Sequence, residues 1–265
     1  MATLPYPITT TRDMIDKLYA TAREAVADVA DGATIAIGGF GGAGMPDELI
    51  DALIEQGAKD LTVVSNNAGN GDTGLAALLK ARRVRRLMCS FPRQRDAYVF
   101  EALYRAGEIE LEVIPQGTLA ERLRAAGCGI GGFYTPTGHG TLLAAGKEAR
   151  RIGARDYVLE YPIHVDVALI NAAAADRWGN LVYNKTARNF APVMAMAATT
   201  TIAAVTRVCE LGELDPEAVV TPGIFVKRVV LRDGACALPM RRLEGAAANL
   251  QAGAKASAHA SAQTR

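Results

Sequence analysis

A short apolar strand that runs into a glycine-rich turn constrains the fold of this chain more than any other sequence feature. Residues 35–37 read Ile-Ala-Ile, and residues 38–46 continue Gly-Gly-Phe-Gly-Gly-Ala-Gly-Met-Pro. Glycines, which lack β-carbons, let the chain turn sharply and bring backbone N–H groups close to a ligand. Pro46 suits the start of a helix, where its missing N–H has no intrahelical partner to lose. The segment therefore predicts a strand–turn–helix unit.

The rest of the chain repeats this strand–helix alternation. Strand-like runs recur about 25 residues apart, and the stretches between them read as helices. A capping-box spacing from Thr118 to Glu121 predicts the start of one such helix. This alternation is typical of βα units joined by right-handed crossovers, so the predicted fold class is α/β, with an open, mostly parallel sheet flanked by helices. The predicted strands are residues 34–37, 61–65, 86–90, 109–114, 157–160, 165–170 and 225–231.

Two segments depart from the alternation. Residues 127–140 are dense in glycine and proline, which predicts a loop. After Arg232 the sequence turns to alanine, glycine, serine and glutamine with few anchoring apolar residues. We therefore expect one domain over residues 1–232 and an Ala-rich, mobile tail over residues 233–265.

Composition and charge argue against several classes of function. The formal net charge is +1, so no overall field recruits nucleic acid or an anionic membrane. The basic run at 80–86 is more typical of a solvated helix end than of a phosphate site. No apolar stretch reaches the roughly 18 residues of a membrane span, and the N-terminus has no signal-peptide pattern. We expect a soluble, cytoplasmic protein without nucleic-acid or membrane partners.

The cysteines do not form a recognisable metal or disulfide pattern. Cys89, Cys128, Cys209 and Cys236 lie far apart, without a C-x-x-C pair or nearby histidine pairs. Buried free thiols in a reducing compartment are the expected state, and no metal site is predicted.

The glycines also satisfy, literally, the dinucleotide fingerprint G-x-G-x-x-G at Gly39, Gly41 and Gly44. A dinucleotide site also needs an acidic residue at the end of the second strand to hold the ribose. The strand at 61–65 is followed instead by Asn66 and Asn67. A dinucleotide-dependent oxidoreductase is therefore a disfavoured alternative. On the glycines alone, a tight strand–helix turn that binds no ligand stays open.

Five blocks follow one another along the chain, at residues 31–46, 65–69, 115–122, 133–138 and 187–190. In this order they resemble the A subunits of family I coenzyme A transferases. They cover about residues 12–231, and accidental agreement is a poor explanation for five blocks in the same order. Within this family, residues 66–71, 89–94 and 210–216 are most similar to A subunits that act on 3-oxoadipate, whereas acetoacetate-type enzymes usually differ around residues 89–94. His139 departs from the pattern, because an aromatic or small residue is common at its position.

The resemblance implies a ping-pong reaction that moves CoA from succinyl-CoA to 3-oxoadipate in the breakdown of aromatic compounds. A glutamate attacks the thioester, and an enzyme–CoA thioester carries the CoA between the acids. In the family this glutamate lies in a Glu-Asn-Gly context on the B subunit, and no Glu-Asn-Gly occurs in these 265 residues. We therefore expect activity only with a B-subunit partner, in an α2β2 assembly. The CoA thioester is a substrate, and no tightly bound cofactor is implied; an acetoacetate or short-chain 3-oxo acid acceptor is the alternative.

The resemblance also implies which residues meet the substrate. Neutral amides suit an oxyanion because they donate without titrating, so Gln116 and Asn67 are the expected catalytic supports. Arg93 is expected to pair with a substrate carboxylate through its guanidinium. The expected substrate and CoA contacts are Gly38, Gly39, Phe40, Gly41, Gly42, Gly44, Asn66, Arg93, Gln94 and Gly138.

Rival chemistries within the chain are weaker. Glu160 ends a predicted strand and is the best internal rival for the nucleophile, although carboxylates there often cap neighbouring backbone. His139 and His164 lack a paired nucleophile and acid at a recognisable spacing, so a hydrolase triad is unsupported. A non-catalytic sensor would need an output module such as a helix-turn-helix, and neither end of the sequence offers one.

Overall fold

The computed structural model describes residues 15–232, so the predicted tail at 233–265 lies outside the described residues. The strands are β1 (Leu18–Tyr19), β2 (Thr34–Ile37), β3 (Leu61–Asn67), β4 (Val84–Phe91), β5 (Glu110–Val113), β6 (Phe133–Thr135), β7 (Ala149–Ile152), β8 (Arg155–Glu160), β9 (Val165–Asp176), β10 (Leu181–Val182), β11 (Ala198–Cys209) and β12 (Arg228–Leu231). The helices are α1 (Ala22–Val26), α2 (Asp47–Gln56), α3 (Leu75–Lys80), α4 (Tyr98–Arg105), α5 (Gln116–Gly127) and α6 (Ala191–Ala197). Short 3-10 turns cover Leu142–Ala144, Lys185–Arg188, Pro216–Ala218 and Gly223–Phe225.

The main sheet has the order β1-β12-β11-β9-β2-β3-β4-β5, and every neighbouring pair along it is parallel. β10 adds an antiparallel pairing to β9. Because parallel strands need crossover connections, helices cover both faces. The predicted α/β class with an open, mostly parallel sheet is confirmed.

Both faces of the sheet are apolar, because side chains alternate along each strand. Ile35 and Ile37 of β2 join one buried cluster with Leu49 of α2, whereas Ala36 faces the opposite cluster with Leu119 of α5. Helix α2 begins directly after Pro46, as predicted, and ends at Gly57 in the left-handed conformation. Its apolar residues share one face, which buries them against the sheet.

Helix α5 and strand β12 begin at other residues than predicted. Helix α5 begins at Gln116 after Pro115, so Thr118 lies inside the helix instead of capping it, and it is buried. The fixed φ of Pro115 suits the residue before the first turn, which starts the helix earlier than the capping-box spacing indicates. The predicted strand at 225–231 is shorter, because Gly223–Phe225 forms a 3-10 turn and only Arg228–Leu231 pairs.

The segment 127–140, predicted as a loop, begins with the last residue of α5 and contains a short strand. Gly127 ends α5, and a β-carbon there would lie 2.4 Å from the Met196 side chain, so this glycine lets α5 and α6 approach closely. Phe133–Thr135 forms β6, which pairs with β8 in a separate antiparallel sheet of order β6-β8-β7. The loop prediction was therefore wrong for these residues.

The connections create a switch point beside β2. From β2 the chain passes outward through β3, β4 and β5 on one side, while β9, β11 and β12 occupy the other. Ligands of open α/β sheets bind at the carboxyl ends of the strands where the order reverses. Within residues 15–232, no helix is long and apolar enough to cross a membrane.

Candidate active site

A cleft of about 590 Å³ opens at the carboxyl ends of β2, β3 and β4. Neighbouring strand ends bring its lining together, because the loop after β2, the last residues of β3 and β4 and the start of α5 share one edge of the sheet. None of the described residues that line the cleft carries a carboxylate, an imidazole or a thiol. They are Phe40, Gly41, Asn66, Asn70, Ser90, Phe91, Gln94, Arg95 and Gln116.

Three polar side chains form a hydrogen-bonded network in this cleft. The Oδ1 atom of Asn66 accepts from Ser90 Oγ and from Gln116 Nε2, both at 2.8 Å. Ser90 Oγ also lies 3.0 Å from the Asn66 carbonyl oxygen. The Nδ2 group of Asn66 has no acceptor among residues 15–232, so it is free to donate to a ligand.

Asn67 lies behind this network instead of in the lining. It is fully buried, and its Oδ1 accepts from the Gly69 amide at 2.8 Å. Its Nδ2 has no partner within the described part of the chain. Asn67 therefore stabilises the turn after β3 through its Oδ1, and Asn66 is the one of the two asparagines that lines the cleft. A catalytic role for Asn67 remains a prediction.

The glycine loop is fixed by Asn189, a residue that was not predicted to belong to the site. Asn189 Oδ1 accepts from the Gly39 amide at 3.1 Å, and its Nδ2 donates to the Ala43 carbonyl at 3.0 Å. Gly44 has φ +73°, and a β-carbon there would lie 2.3 Å from the carbonyl oxygen of Ala187. These contacts join the segment at 187–190 directly to the glycine loop.

Only part of the glycine loop keeps free amides. Gly38 donates to the Leu169 carbonyl at 2.9 Å, and Gly39 donates to Asn189, so neither N–H is available to a ligand. Phe40 and Ala43 pair with each other as a two-residue hairpin with the Gly41–Gly42 pair at its tip. Among the described residues, the N–H groups of Gly41, Gly42 and Gly44 have no acceptor, and Gly41 lines the cleft.

A second cavity of about 890 Å³ adjoins the cleft at Phe40. Tyr183 lies in its wall, where burial raises the pKa of the phenol to about 12, although a hydrogen bond with Thr221 opposes this shift. Lys185 and Arg188 also line this cavity and give it a positive character. The ring of Phe40, about half exposed, separates the two cavities.

The predicted arginine points away from the cleft. Arg93 lines a separate pocket with Tyr104, and its Nε lies 3.4 Å from Glu101 Oε1. Gln94 lines the cleft, as expected of a substrate contact, and so does Arg95, which was not singled out from the sequence. The pairing of Arg93 with a substrate carboxylate remains a prediction.

Gly138 lies in the turn after β6, where its carbonyl accepts from Thr141 Oγ1 at 2.7 Å. It is not among the residues that line the cleft. His139 is exposed in the same turn. The structure of this chain therefore does not bring Gly138 together with Asn66 and Gln116.

The rival nucleophile Glu160 is held by two cations. It is buried at the end of β8, with Lys147 Nζ 2.6 Å from Oε1 and Arg122 Nε 3.8 Å from Oε2. Buried charges are stable when paired in this way, so the geometry favours a structural carboxylate.

The buried thiol of β4 is equally unsuited to nucleophilic work. Burial raises the pKa of Cys89 to about 12, so the thiol stays protonated at neutral pH. Within residues 15–232, no group of His, Cys, Asp and Glu is arranged to hold a metal ion.

Comparison with known proteins decides the family. The family model described as Coenzyme A transferase matches residues 19–232. This chain belongs to the coenzyme A transferase family. The dinucleotide alternative is set aside, since the Asn66 amide, which accepts from Ser90 and Gln116, stands where a ribose-binding acid is required.

Individual relatives agree with this assignment. The A subunit of the 3-oxoadipate CoA-transferase of Pseudomonas putida is 66% identical over 224 residues, which cover 84% of this chain and 97% of that protein. The A subunit of the probable succinyl-CoA:3-ketoacid coenzyme A transferase of Bacillus subtilis is 49% identical over 215 residues, 81% of this chain and 90% of that protein. The acyl-CoA transferase YdiF of Escherichia coli O157:H7 superposes with a TM-score of 0.73 at 23% identity, which is a likeness of fold. The match covers 84% of this chain and 48% of the YdiF chain, so this chain spans about half of YdiF.

Proposed function

We propose that this chain is the A subunit of a succinyl-CoA:3-oxoadipate CoA-transferase, which acts with a B subunit in an α2β2 assembly in the cytoplasm. The identity of 66% across 97% of the Pseudomonas putida protein supports the substrate, because that protein is named for 3-oxoadipate. The division of labour proposed here is that the B subunit supplies the nucleophile and this chain supplies hydrogen-bond donors. The single observation that carries it is the cleft lining, where the described residues offer neutral donors and include no carboxylate.

The proposed reaction takes its nucleophile from the partner. A B-subunit glutamate attacks the thioester carbonyl of succinyl-CoA, which forms an acyl–glutamyl anhydride and releases the CoA thiolate. The thiolate attacks the glutamyl carbonyl, which forms the glutamyl–CoA thioester and releases succinate. 3-Oxoadipate then repeats these steps in reverse and leaves as its CoA thioester, so each bond broken is matched by one formed.

This chain would supply fixed donors for the charge that develops in those steps. Each tetrahedral intermediate carries an oxyanion, and preorganised donors stabilise it without reorganising. The Nδ2 group of Asn66 and the free N–H of Gly41 are two neutral donors in the cleft that are suited to this role. Gln116 and Ser90 act through Asn66, because their bonds to Oδ1 fix which way its amide faces.

The test measures succinyl-CoA-dependent formation of 3-oxoadipyl-CoA by this chain alone and by this chain co-expressed with its B partner. We expect activity only in the pair, with 3-oxoadipate preferred over acetoacetate. In the pair, Asn66→Ala is expected to lower kcat about 100-fold, the scale of losing one oxyanion donor. Gln56→Ala is the matched control, since Gln56 also donates from its amide, to Val29 at the far end of α2.

A second candidate is a transferase for acetoacetate or other short-chain 3-oxo acids. It is favoured by the identity of 49% to the Bacillus subtilis protein, which is named for 3-ketoacids. Preference of the pair for acetoacetate would keep the family and overturn the proposed acceptor. Full activity of this chain without a partner would overturn the division of labour.

A further inference from the structure

A single cation lines the cleft in the described part of the chain. Eight of the lining residues are neutral, and the ninth is Arg95. The Arg95 side chain forms no hydrogen bond or ion pair among residues 15–232, although most other arginines there are paired. An unpaired guanidinium beside neutral donors is suited to a ligand that brings its own carboxylate.

The backbone fixes Arg95 at the corner of a tight turn after β4. The Ala97 amide donates to the Gln94 carbonyl at 3.4 Å, so Arg95 and Asp96 are the two central residues of that turn. The Gly71 amide donates to the Asp96 carbonyl at 2.9 Å, which ties the turn to the loop after β3. Asp96 forms no ion pair with Arg95, so the adjacent carboxylate does not neutralise the guanidinium.

Arg93, only two residues earlier, is in a different environment. Its side chain is 78% exposed and lies beside Glu101, which also binds Arg105 at 2.7 Å. Arg93 therefore has a carboxylate partner in a pocket separate from the cleft. The two arginines differ in what they face, which makes them a natural pair for comparison.

We propose that Arg95 binds the second carboxylate of dicarboxylic substrates and thereby selects 3-oxoadipate over monocarboxylic 3-oxo acids. This inference rests on the proposed function. 3-Oxoadipate and acetoacetate share a 3-oxo acid head, and 3-oxoadipate carries a further carboxylate at its other end. With the reacting carboxylate near Asn66, the cleft of about 590 Å³ has room for that second group at Arg95.

The same contact serves both halves of the reaction. Succinyl-CoA carries a free carboxylate at the end of its acyl group, at a shorter spacing than in 3-oxoadipate. The long side chain of an arginine is able to follow both lengths. The selectivity therefore extends to the donor as well as the acceptor, as a preference for acyl groups that end in a carboxylate.

The test uses the assembled pair and measures kcat/KM for 3-oxoadipate and acetoacetate in parallel. Arg95→Gln is expected to lower kcat/KM for 3-oxoadipate about 10- to 100-fold, the scale of one charge-assisted contact. The value for acetoacetate should change less than about threefold, because acetoacetate has no second carboxylate to lose. Arg95→Lys should recover part of the preference, because it keeps the charge and loses the two-pronged geometry.

Two further variants complete the design. Arg85→Gln removes an exposed arginine that pairs with Glu110 on the sheet and should leave both values unchanged. Arg93→Gln tests the rival arginine directly. The inference about Arg95 is wrong if Arg93→Gln abolishes the preference for 3-oxoadipate and Arg95→Gln does not. It is also wrong if Arg95→Gln lowers kcat/KM equally for 3-oxoadipate and acetoacetate.

Failure of the inference and failure of the proposed function are distinguishable. A native pair that prefers acetoacetate, or transfers no CoA, contradicts the proposed function itself. A native pair that prefers 3-oxoadipate, and keeps that preference in Arg95→Gln, contradicts only the assignment of Arg95.

Discussion

Replacing Gly44 by alanine tests whether close approach of the backbone holds the glycine loop in place. Gly44 has φ +73°, and the added β-carbon would lie 2.3 Å from the Ala187 carbonyl oxygen and 2.7 Å from Asn189 Nδ2. Gly129 is the matched control, because its φ is +70° and no atom lies within 4 Å of an added β-carbon. Both substitutions place alanine at a positive φ, but only Gly44→Ala also forces its β-carbon against neighbouring atoms.

The magnitude follows from that difference. A non-glycine residue in the left-handed region costs about 1–2 kcal/mol, which both variants lose. Overpacking against backbone that cannot move aside adds about 1–3 kcal/mol for Gly44→Ala alone. For a domain of this size each kcal/mol lowers Tm by about 2–4 °C, so Gly44→Ala should unfold about 2–12 °C below Gly129→Ala.

The assay is thermal unfolding followed by circular dichroism, with both variants in the same buffer. Equal Tm values for the two variants would refute the reasoning, since they would mean that the loop and the segment at 187–190 separate without cost. A lower Tm for Gly129→Ala would refute it more strongly.

Three further outcomes are expected. Cys89 should resist alkylation in the folded protein at pH 8, because its pKa is raised to about 12, whereas exposed Cys128 should react; peptide mapping by mass spectrometry of the labelled protein checks this. Asn189→Ala should lower the free energy of unfolding by about 2–4 kcal/mol, since it removes the bonds to the glycine loop, and urea titration measures it. Asp28 pairs with Arg228 in a bidentate bond that lowers the pKa of Asp28, so its stabilisation is present above about pH 4 and is lost as the pH falls through that lowered pKa. Because Asp28 is largely exposed, Asp28→Asn should lower the free energy of unfolding by under about 1 kcal/mol at pH 7. Urea titrations should show this difference from the native protein vanish at a pH below the lowered pKa of Asp28.

The sheet was predictable from the sequence because its signals are local. The run at 34–37 is β2 to the residue, and glycines after an apolar strand with a following proline predicted the turn and α2 correctly. The small antiparallel sheet was missed for the opposite reason. Phe133–Thr135 has only three residues and is a strand because it pairs with β8, more than twenty residues away.

The site was predictable as a place but not in its details. The family resemblance put Asn66, Gln116 and the glycine loop in one site, and in the structure Asn66, Gln116 and Gly41 line one cleft. Which of two adjacent asparagines faces the cleft depends on the pleat at the end of β3, and the sequence does not reveal it. Ser90 carried a usable signal, because it is a polar residue near the end of the neighbouring strand β4, level with Asn66.

The choice between Arg93 and Arg95 shows the same limit. Both follow Pro92 in one irregular stretch, which is tied to the loop after β3 by the bond from the Gly71 amide to the Asp96 carbonyl. No periodic pattern encodes such a contact, so the sequence does not distinguish which of the two arginines lines the cleft.

The most direct test of the division of labour is to locate the covalent intermediate. The assembled pair is incubated with succinyl-CoA without an acceptor acid, the subunits are separated, and intact mass spectrometry looks for the addition of CoA less one water. We expect that added mass on the B subunit, with an unmodified mass for this chain. A CoA thioester on this chain, at Glu160 or elsewhere, would contradict the proposed division of labour.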